Sequence, residues 1–177
     1  MGRCYAPTAV SPEAVPTTHD PAGIRKAEDI AKALGLIAEA PFASRGDDSG
    51  THCAERRLWD AAGIAPGGDW YRELGSGTGP TLNTAAGMDA YVMADRATWI
   101  AFDNRQRLEL LFEGDEVLFN QYGSLLLSED RHPHLKHDLA RQWHDWLLSD
   151  DGQQAIADFR VKGQQLFFPN TAPSKAE

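Results

Sequence analysis

The sequence predicts an α/β fold in which helices cover a sheet. Short apolar runs of strand length alternate along the chain with segments whose apolar residues recur at helical spacing. The 177 residues are enough to bury a sizeable core. The content of 42% apolar and 24% charged residues is ordinary for a soluble globular protein.

The first elements can be read in order from the N-terminus. Residues 1–23 contain four prolines and little periodicity, so we interpret them as an irregular arm or linker. From residue 24 to residue 38 the apolar residues recur at helical spacing, and "APFAS" (40–44) then predicts a short buried strand. A second helix is predicted from about Ser49 and stops at Gly63, which has the C′ position.

A further set of elements follows. "GGDWYREL" predicts a turn and a strand, and a helix of small residues is expected from about Pro80 to Ala86. "DAYVMAD" is strand-like, "RATWIAF" supplies one or two helical turns, and residues 107–129 predict two strands around a turn. The last third is predicted to be helical, with an apolar stripe on each of two helices. We interpret the five tryptophans as core residues.

Composition excludes several classes of function. The net charge is −9 and no basic run occurs, so we predict no nucleic-acid partner. No apolar run is long enough for a membrane span, and the N-terminal residues have no apolar segment of the kind found in secretory signals. Cys4 and Cys53 form either one bridge or, as we expect, two free thiols. The histidines of "RHPHLKH" predict no metal site, and no catalytic set can be recognised from spacing.

The stretch "SRGDDSGTH" (44–52) lies between the predicted strand and the second helix. The first amides of a helix lack partners within the helix, and its dipole adds roughly half a positive charge there, so this junction suits an anion. Gly50 allows close approach to the backbone, Ser49 and Thr51 add hydroxyls, and Arg45 adds a guanidinium. Local chemistry alone leaves a plain capped turn as the alternative.

A second junction of the same kind is "GSGTGPT" (75–81). It lacks the Lys–Ser/Thr ending of a phosphate-binding Walker loop and the glycine spacing of a dinucleotide-binding fingerprint. By itself it indicates only a tight turn. Beside the first junction, it suggests two helix N-termini directed at one ligand.

Several segments in order resemble one family. "SRGDDSGTH", "ERRLWDAAGI", "DWYRELGSGTGPTLNTA", "AYVMADRATW", "LLFEGDEVLFNQYG" and "GQQAIADFRVKGQQLFFPN" are similar to the extracytoplasmic tungstate-binding receptors of bacterial ABC transporters. The resemblance implies a type II periplasmic-binding-protein fold with a mixed sheet flanked by helices. It assigns residues 24–122 to the α/β second lobe, and residues 123–177 to the returning hinge and the C-terminal helices of an incomplete first lobe.

The same resemblance implies a function without catalysis or cofactor: binding of tungstate or molybdate for uptake through an ABC-transporter permease, in the periplasm or otherwise outside the cytoplasm. Arg45, Ser49, Gly50 and Thr51 carry over as ligand contacts. The secondary candidates are Ser44, Thr78, Gly79 and Thr81. Tungstate and molybdate carry no proton at neutral pH, so their contacts should be donors. Phosphate binding becomes credible if Asp47 or Asp48 faces the ligand.

The resemblance begins only at about residue 20, without the signal peptide and ligand loop that open the family's chains. We therefore expect half of the ligand cage, weaker tungstate binding than in a closed cleft, and an uncovered apolar face that favours self-association. A complete chain of this form would be cytoplasmic. The alternatives are a non-transporting remnant or interaction module with little anion affinity, a phosphate-binding protein, and an anion-dependent enzyme.

Overall fold

The computed structural model describes residues 4–8 and 20–169. The chain divides into two compact units. The central unit comprises residues 10–119, and the terminal unit comprises residues 1–9 and 120–177. The elements in chain order are β1 (Cys4–Thr8), a 3-10 helix (Ile24–Lys26), α1 (Ile30–Ile37), β2 (Phe42–Ser44), α2 (Gly50–Ala61), β3 (Tyr71–Glu73), α3 (Thr78–Met88), β4 (Tyr91–Val92), α4 (Arg96–Ala101), a second 3-10 helix (Glu116–Leu118), β5 (Asn120–Ser124), α5 (His137–Leu148), α6 (Asp150–Asp158), β6 (Arg160–Val161) and β7 (Gln164–Gln165).

The central unit is built on a three-stranded sheet with the order β3-β2-β4. Both neighbours run parallel to β2, with Phe42 opposite Tyr71 on one side and opposite Tyr91 on the other. Parallel strands place their carboxyl ends at one edge of the sheet. The loops that follow β2 and β3 therefore begin side by side, with Ser44 opposite Glu73. This edge is where ligands usually bind in open α/β sheets.

Each face of this sheet carries its own core, because successive side chains of a strand point in opposite directions. Phe42 packs in one cluster against Trp59 and Tyr71, with the Phe42 and Trp59 ring centroids 5.3 Å apart in an edge-to-face arrangement. Ala43 packs on the other face in a second cluster with Leu82 and other small and aromatic residues. The two packed faces hold β2, and therefore the chain that leaves it, in a fixed position.

The terminal unit contains two antiparallel strand pairs, β1 with β5 and β6 with β7. Ser149 ends α5 and caps α6, accepting a hydrogen bond from the amide of Gly152. Large apolar side chains of this unit are exposed: Tyr122, Leu125, Leu126, Leu127, Leu135, Leu139, Trp143, Trp146, Phe159 and Phe168. The uncovered apolar face stays a prediction, which these exposures support.

Three sequence predictions were wrong in detail. The helix expected at 24–38 is interrupted, because Asp29 accepts a hydrogen bond from the amide of Lys32 and starts α1 anew. Residues 107–129 contain one strand, β5, rather than two, and β5 pairs with a segment more than 110 residues away. That partner, β1, lies in the arm expected to be irregular at 1–23.

The five tryptophans fall into a core group and an exposed group. Trp59 and Trp99 are buried, and Trp70 packs against the core, as expected. Trp143 and Trp146 are 59% and 40% exposed, which corrects the interpretation of all five as core residues. Cys53 is a free thiol, while the side chain of Cys4 lies outside the described residues. In the described ranges no helix has the length and apolarity that crossing a bilayer requires.

Candidate anion-binding site

Arg45 is the first residue after β2, and its guanidinium joins the two predicted junctions. Its Nη1 donates to Oγ1 of Thr78, the first residue of α3, at 2.8 Å. Its Nη2 donates to Oδ2 of Asp47 at 2.6 Å. The side chain is only 14% exposed, and its buried Nε–H has no hydrogen-bond partner within the described part of the chain. One donor of this buried cation is therefore unsatisfied within the described residues.

Asp47 turns toward the protein. One carboxylate oxygen accepts from Arg45, and the other accepts from the amide of Ser49 at 3.3 Å. The hydrogen bond from Arg45 lowers the pKa of Asp47 to about 2, so this carboxylate is ionised throughout the physiological range. Asp48 has a positive φ of 56° and a fully exposed side chain. The structure thus decides the orientation of Asp47, whose oxygens are bonded to protein donors, and leaves the carboxylate of Asp48 exposed to solvent.

The start of α2 provides the predicted donors. Ser49 is the N-cap, and its hydroxyl accepts from the amide of His52 at 3.3 Å. The amides of Gly50 and Thr51 have no acceptor among residues 4–8 and 20–169, as expected for the first turn of a helix. A Cβ placed on Gly50 would meet no atom within 4 Å, so the space beside this amide is open.

The start of α3 contributes less than expected. The Thr78 hydroxyl accepts from Arg45 and gives its single proton to Oδ2 of Asp95 at 3.0 Å, so it orients the guanidinium and has no proton left for a ligand. Thr81 is fully buried and its hydroxyl bonds to Gly77 and Ser76. The Gly79 amide has no acceptor in the described ranges.

The hydroxyl of Ser44 also bonds inside the protein and has no proton left for a ligand. Ser44 is fully buried, and its hydroxyl donates to Oε2 of Glu55 at 3.1 Å. Tyr71 donates to the other oxygen of the same carboxyl at 2.5 Å. Burial raises the pKa of Glu55 above its usual value. The structure therefore brings Arg45 together with the start of α2, and places Ser44 in a polar cluster beneath it.

Sequence reasoning missed the roles of Asp95 and His52. Asp95 is the N-cap of α4, and "DRAT" is a recognisable capping pattern, but nothing local indicates its contact with Thr78. His52 is 6% exposed, and its Nδ1 accepts from the amide of Asp48 at 3.1 Å. Its position three residues after a capping serine was the available signal.

Gly46 explains how the loop after β2 crosses the end of β3. Its φ is +59°, and a Cβ there would lie 2.7 Å from Cβ of Glu73. Only glycine combines the left-handed conformation with such a close approach. The glycine of "SRGD" therefore sets the path of the chain toward α2.

The other clusters noted in the sequence are occupied by structural contacts. His137 bonds through Nε2 to the carbonyl of His132 at 2.6 Å, and Nδ1 of His144 lies 2.9 Å from Oγ of Ser124. Across the described residues no group of three or more His, Cys, Asp or Glu side chains is placed to hold a metal ion.

Comparison with known proteins adds to this geometry. A family model described as a PBP superfamily domain matches residues 13–151. The solved structure of TupA, a tungstate-binding protein from Desulfovibrio alaskensis G20, superposes with a TM-score of 0.82 at 36% identity, over 97% of this chain and 71% of that chain. This chain belongs to the PBP superfamily, in the family of TupA. The α/β fold and the family resemblance predicted from the sequence are therefore confirmed.

Two curated relatives of this chain carry names that describe anion or tungstate binding. A protein of Haloferax volcanii, named as an ABC transporter anion-binding protein, is 40% identical over 158 residues, which are 85% of this chain and 46% of the relative. The tungstate-binding protein TupA of Peptoclostridium acidaminophilum is also 40% identical, over 81% of this chain and 52% of its own. The chain thus spans about half the length of these relatives.

Replacement of Gly46 by alanine tests the turn. We expect Gly46→Ala to lower the free energy of unfolding by about 1–3 kcal/mol, because it adds both a strained φ and a clash with Glu73. Urea denaturation gives the value. Gly50→Ala is the matched control, since its Cβ would meet nothing and we expect no destabilisation. Equal stability of both variants and the wild type would contradict the assignment of Gly46.

The raised pKa of Glu55 predicts a pH dependence of stability. The folded chain binds this proton more tightly than the unfolded chain does, so the stabilisation is complete below pH 4.5 and is lost as the pH rises through the raised pKa. Glu55→Gln, which cannot ionise, should lack this part of the pH profile. Urea midpoints of both proteins between pH 4 and pH 8 would measure it, and parallel profiles would contradict it.

Proposed function

We propose that this chain binds a fully deprotonated tetrahedral oxyanion, tungstate or molybdate, at the start of α2. The observation that carries the proposal is the buried Nε–H of Arg45, which has no hydrogen-bond partner among the described residues, together with a helix start whose first amides have no acceptor there. A buried guanidinium is unfavourable unless its donors are satisfied. An oxyanion would accept from Nε–H and from the amides at once, in the electrostatic field of the helix N-terminus.

The contacts of the nearby carboxylates support a ligand without a proton. Phosphate at neutral pH carries a proton that needs an acceptor, whereas tungstate and molybdate carry none. The carboxylate oxygens of Asp47 accept hydrogen bonds from Arg45 and Ser49. Those of Asp95 accept hydrogen bonds from Thr78 and Thr98. The carboxylates of Asp47 and Asp95 are therefore engaged by protein donors and cannot take up the proton of phosphate, which supports the proton-free dianion as the ligand.

The proposed ligand contacts are Arg45, Ser49, Gly50 and Thr51, with Gly79 as a further amide donor. Thr78 acts through Arg45, and Ser44 and Thr81 are left out because their hydroxyls bond inside the protein. The names of the relatives, two of them tungstate-binding proteins and one an ABC transporter anion-binding protein, support the same ligand class.

By the same relationship we propose that the chain is a solute-binding component of an ABC transporter rather than an enzyme, that it acts outside the cytoplasm, and that it has a membrane permease as partner. The donor set supports binding without chemistry. Around Arg45 the carboxylates of Asp47 and Asp95 accept hydrogen bonds that hold protein donors in place.

Arg45→Ala tests the site. A thermal-shift titration with sodium tungstate, molybdate, sulfate and phosphate should show stabilisation of the wild type by tungstate and molybdate. Loss of one charge-assisted hydrogen-bonding group should weaken their binding by about 10- to 100-fold. Arg45→Lys keeps the charge without the forked donors and should recover only part of the affinity. Arg72→Ala is the control, because its exposed side chain lies 3.9 Å from Asp69, away from the site.

The same experiment separates the alternatives. No stabilisation of the wild type by any anion would favour the non-transporting remnant, and preference for phosphate would favour a phosphate-binding protein. Release of phosphate or sulfate from an ester substrate would favour an enzyme. Equal binding by Arg45→Ala and the wild type would contradict the proposed site.

We also propose self-association through the apolar face of the terminal unit. The rings of Trp143 and Trp146 stack with centroids 5.0 Å apart and remain largely exposed, beside the exposed Leu139. Exposed apolar patches of this kind usually mark contact surfaces.

Trp143→Lys should therefore reduce the concentration-dependent association that sedimentation velocity measures. Leu36→Lys adds the same charge at a half-exposed leucine of the central unit and should leave it unchanged. A wild-type chain that stays monomeric at all concentrations would contradict this proposal.

A further inference from the structure

We propose that His52 is a positioning residue of the anion site, which holds the turn before α2 in the shape that presents the amides of Gly50 and Thr51. The inference rests on the proposed function, since those amides are the proposed ligand donors. It concerns a buried side chain outside the ligand contacts themselves. His52 occupies the third position of α2 and is 6% exposed.

The hydrogen bonds of His52 connect it to both residues that precede the helix. Its own amide donates to Oγ of Ser49 at 3.3 Å, and its ring Nδ1 accepts from the amide of Asp48 at 3.1 Å. This pattern is similar to a capping box, in which the third helical residue bonds back to the residues at the helix start. Here an imidazole takes the place of the usual glutamate or glutamine, and it reaches one residue further back.

The backbone conformation of Asp48 requires the hydrogen bond that His52 accepts. The φ of Asp48 is 56°, a left-handed conformation that Asp tolerates better than most residues with a Cβ but that is still less favourable than an ordinary φ. Its side chain is fully exposed, and the Nδ1 acceptor is the contact that satisfies its part-buried amide. Without that acceptor, Asp48 would relax toward an ordinary φ. Ser49 and the amides that follow would then turn with it, away from Arg45.

The environment of the ring selects the proton arrangement that this role requires. Because Nδ1 accepts a hydrogen bond, the neutral ring carries its proton on Nε2. The buried Nε2 lies 3.5 Å from Oε1 of Glu73. Glu73 also contacts the loop at Gly46. Both ring nitrogens therefore face the protein, which excludes His52 as a direct ligand and leaves it as a support for the loop.

Two substitutions test the hydrogen-bond acceptor of His52 separately from the volume of its side chain. His52→Asn places a side-chain oxygen near the position of Nδ1 and can still accept from Asp48. His52→Leu removes the acceptor and retains an apolar side chain in the buried space. With sodium tungstate in isothermal titration, His52→Leu should raise the Kd by about tenfold, the equivalent of one hydrogen bond. His52→Asn should stay within about threefold of the wild type by the same relation.

A second measurement needs no ligand. In the 1H–15N NMR spectrum of the anion-free protein, the Asp48 amide should be protected from hydrogen exchange in the wild type and in His52→Asn, and unprotected in His52→Leu. The imidazole 15N shifts of the wild type should show the proton on Nε2. A rapidly exchanging Asp48 amide in the wild type would overturn the proposal, even if neither variant folded.

The tungstate titration and the exchange measurement together distinguish a failure of the positioning role of His52 from a failure of the proposed function. Tungstate binding by His52→Leu equal to that of the wild type, or by His52→Asn as weak as that of His52→Leu, would overturn the positioning role while leaving the anion site intact. A protected Asp48 amide in a wild type that binds no oxyanion would mean that the proposed function is wrong. The role of His52 in anion binding would fall with it, and its hydrogen bond to Asp48 would remain.

Discussion

The guanidinium of Arg45 is the constraint around which the central unit is organised. It is a mostly buried cation, and taking such a charge out of water is unfavourable unless protein or ligand atoms replace the lost water. Asp47 supplies a counter-charge and Thr78 supplies a neutral acceptor, each at hydrogen-bond distance. Thr78 is in turn fixed by Asp95. Asp47 therefore balances the charge of Arg45, Thr78 satisfies a second donor, and the Nε–H has no partner among the described residues.

The parallel sheet makes this arrangement possible. Because β2 and β3 run in the same direction, the loops that leave them start at the same edge, and Arg45 can reach the first residue of α3. The two cores on opposite faces of β2 keep that edge in place. A small shift of β2 would separate Arg45 from Thr78, so the packing of Phe42 and Ala43 supports the site as directly as any polar contact.

Beneath the donors lies a buried polar layer that touches no proposed ligand. Glu55 binds Ser44 and Tyr71, while His52 binds Asp48 and faces Glu73. Both Glu55 and His52 are on α2, so one helix carries the proposed donors at its start and ties its own first turns to β2, β3 and the loop. Such underlying contacts orient the groups that meet a ligand, as the outer partners of metal ligands do.

Much of the central unit could be predicted from residue order, because its causes are local. The cap at Ser49, the stop at Gly63 and the alternation of strands and helices from β2 to α4 depend on neighbours within a few residues, and these elements lie close to where the sequence predicts them. Anion binding at "SRGDDSGTH" stays a prediction, made from the amides, hydroxyls and guanidinium that this short stretch contains. Long-range contacts were not readable. The pairing of β1 with β5, the burial of Ser44 and Thr81, and the orientation of Asp47 and Thr78 depend on which segments meet in space. A hydroxyl or carboxylate bonds to whichever partner folding brings within about 3 Å, and only the packed chain decides which partner that is.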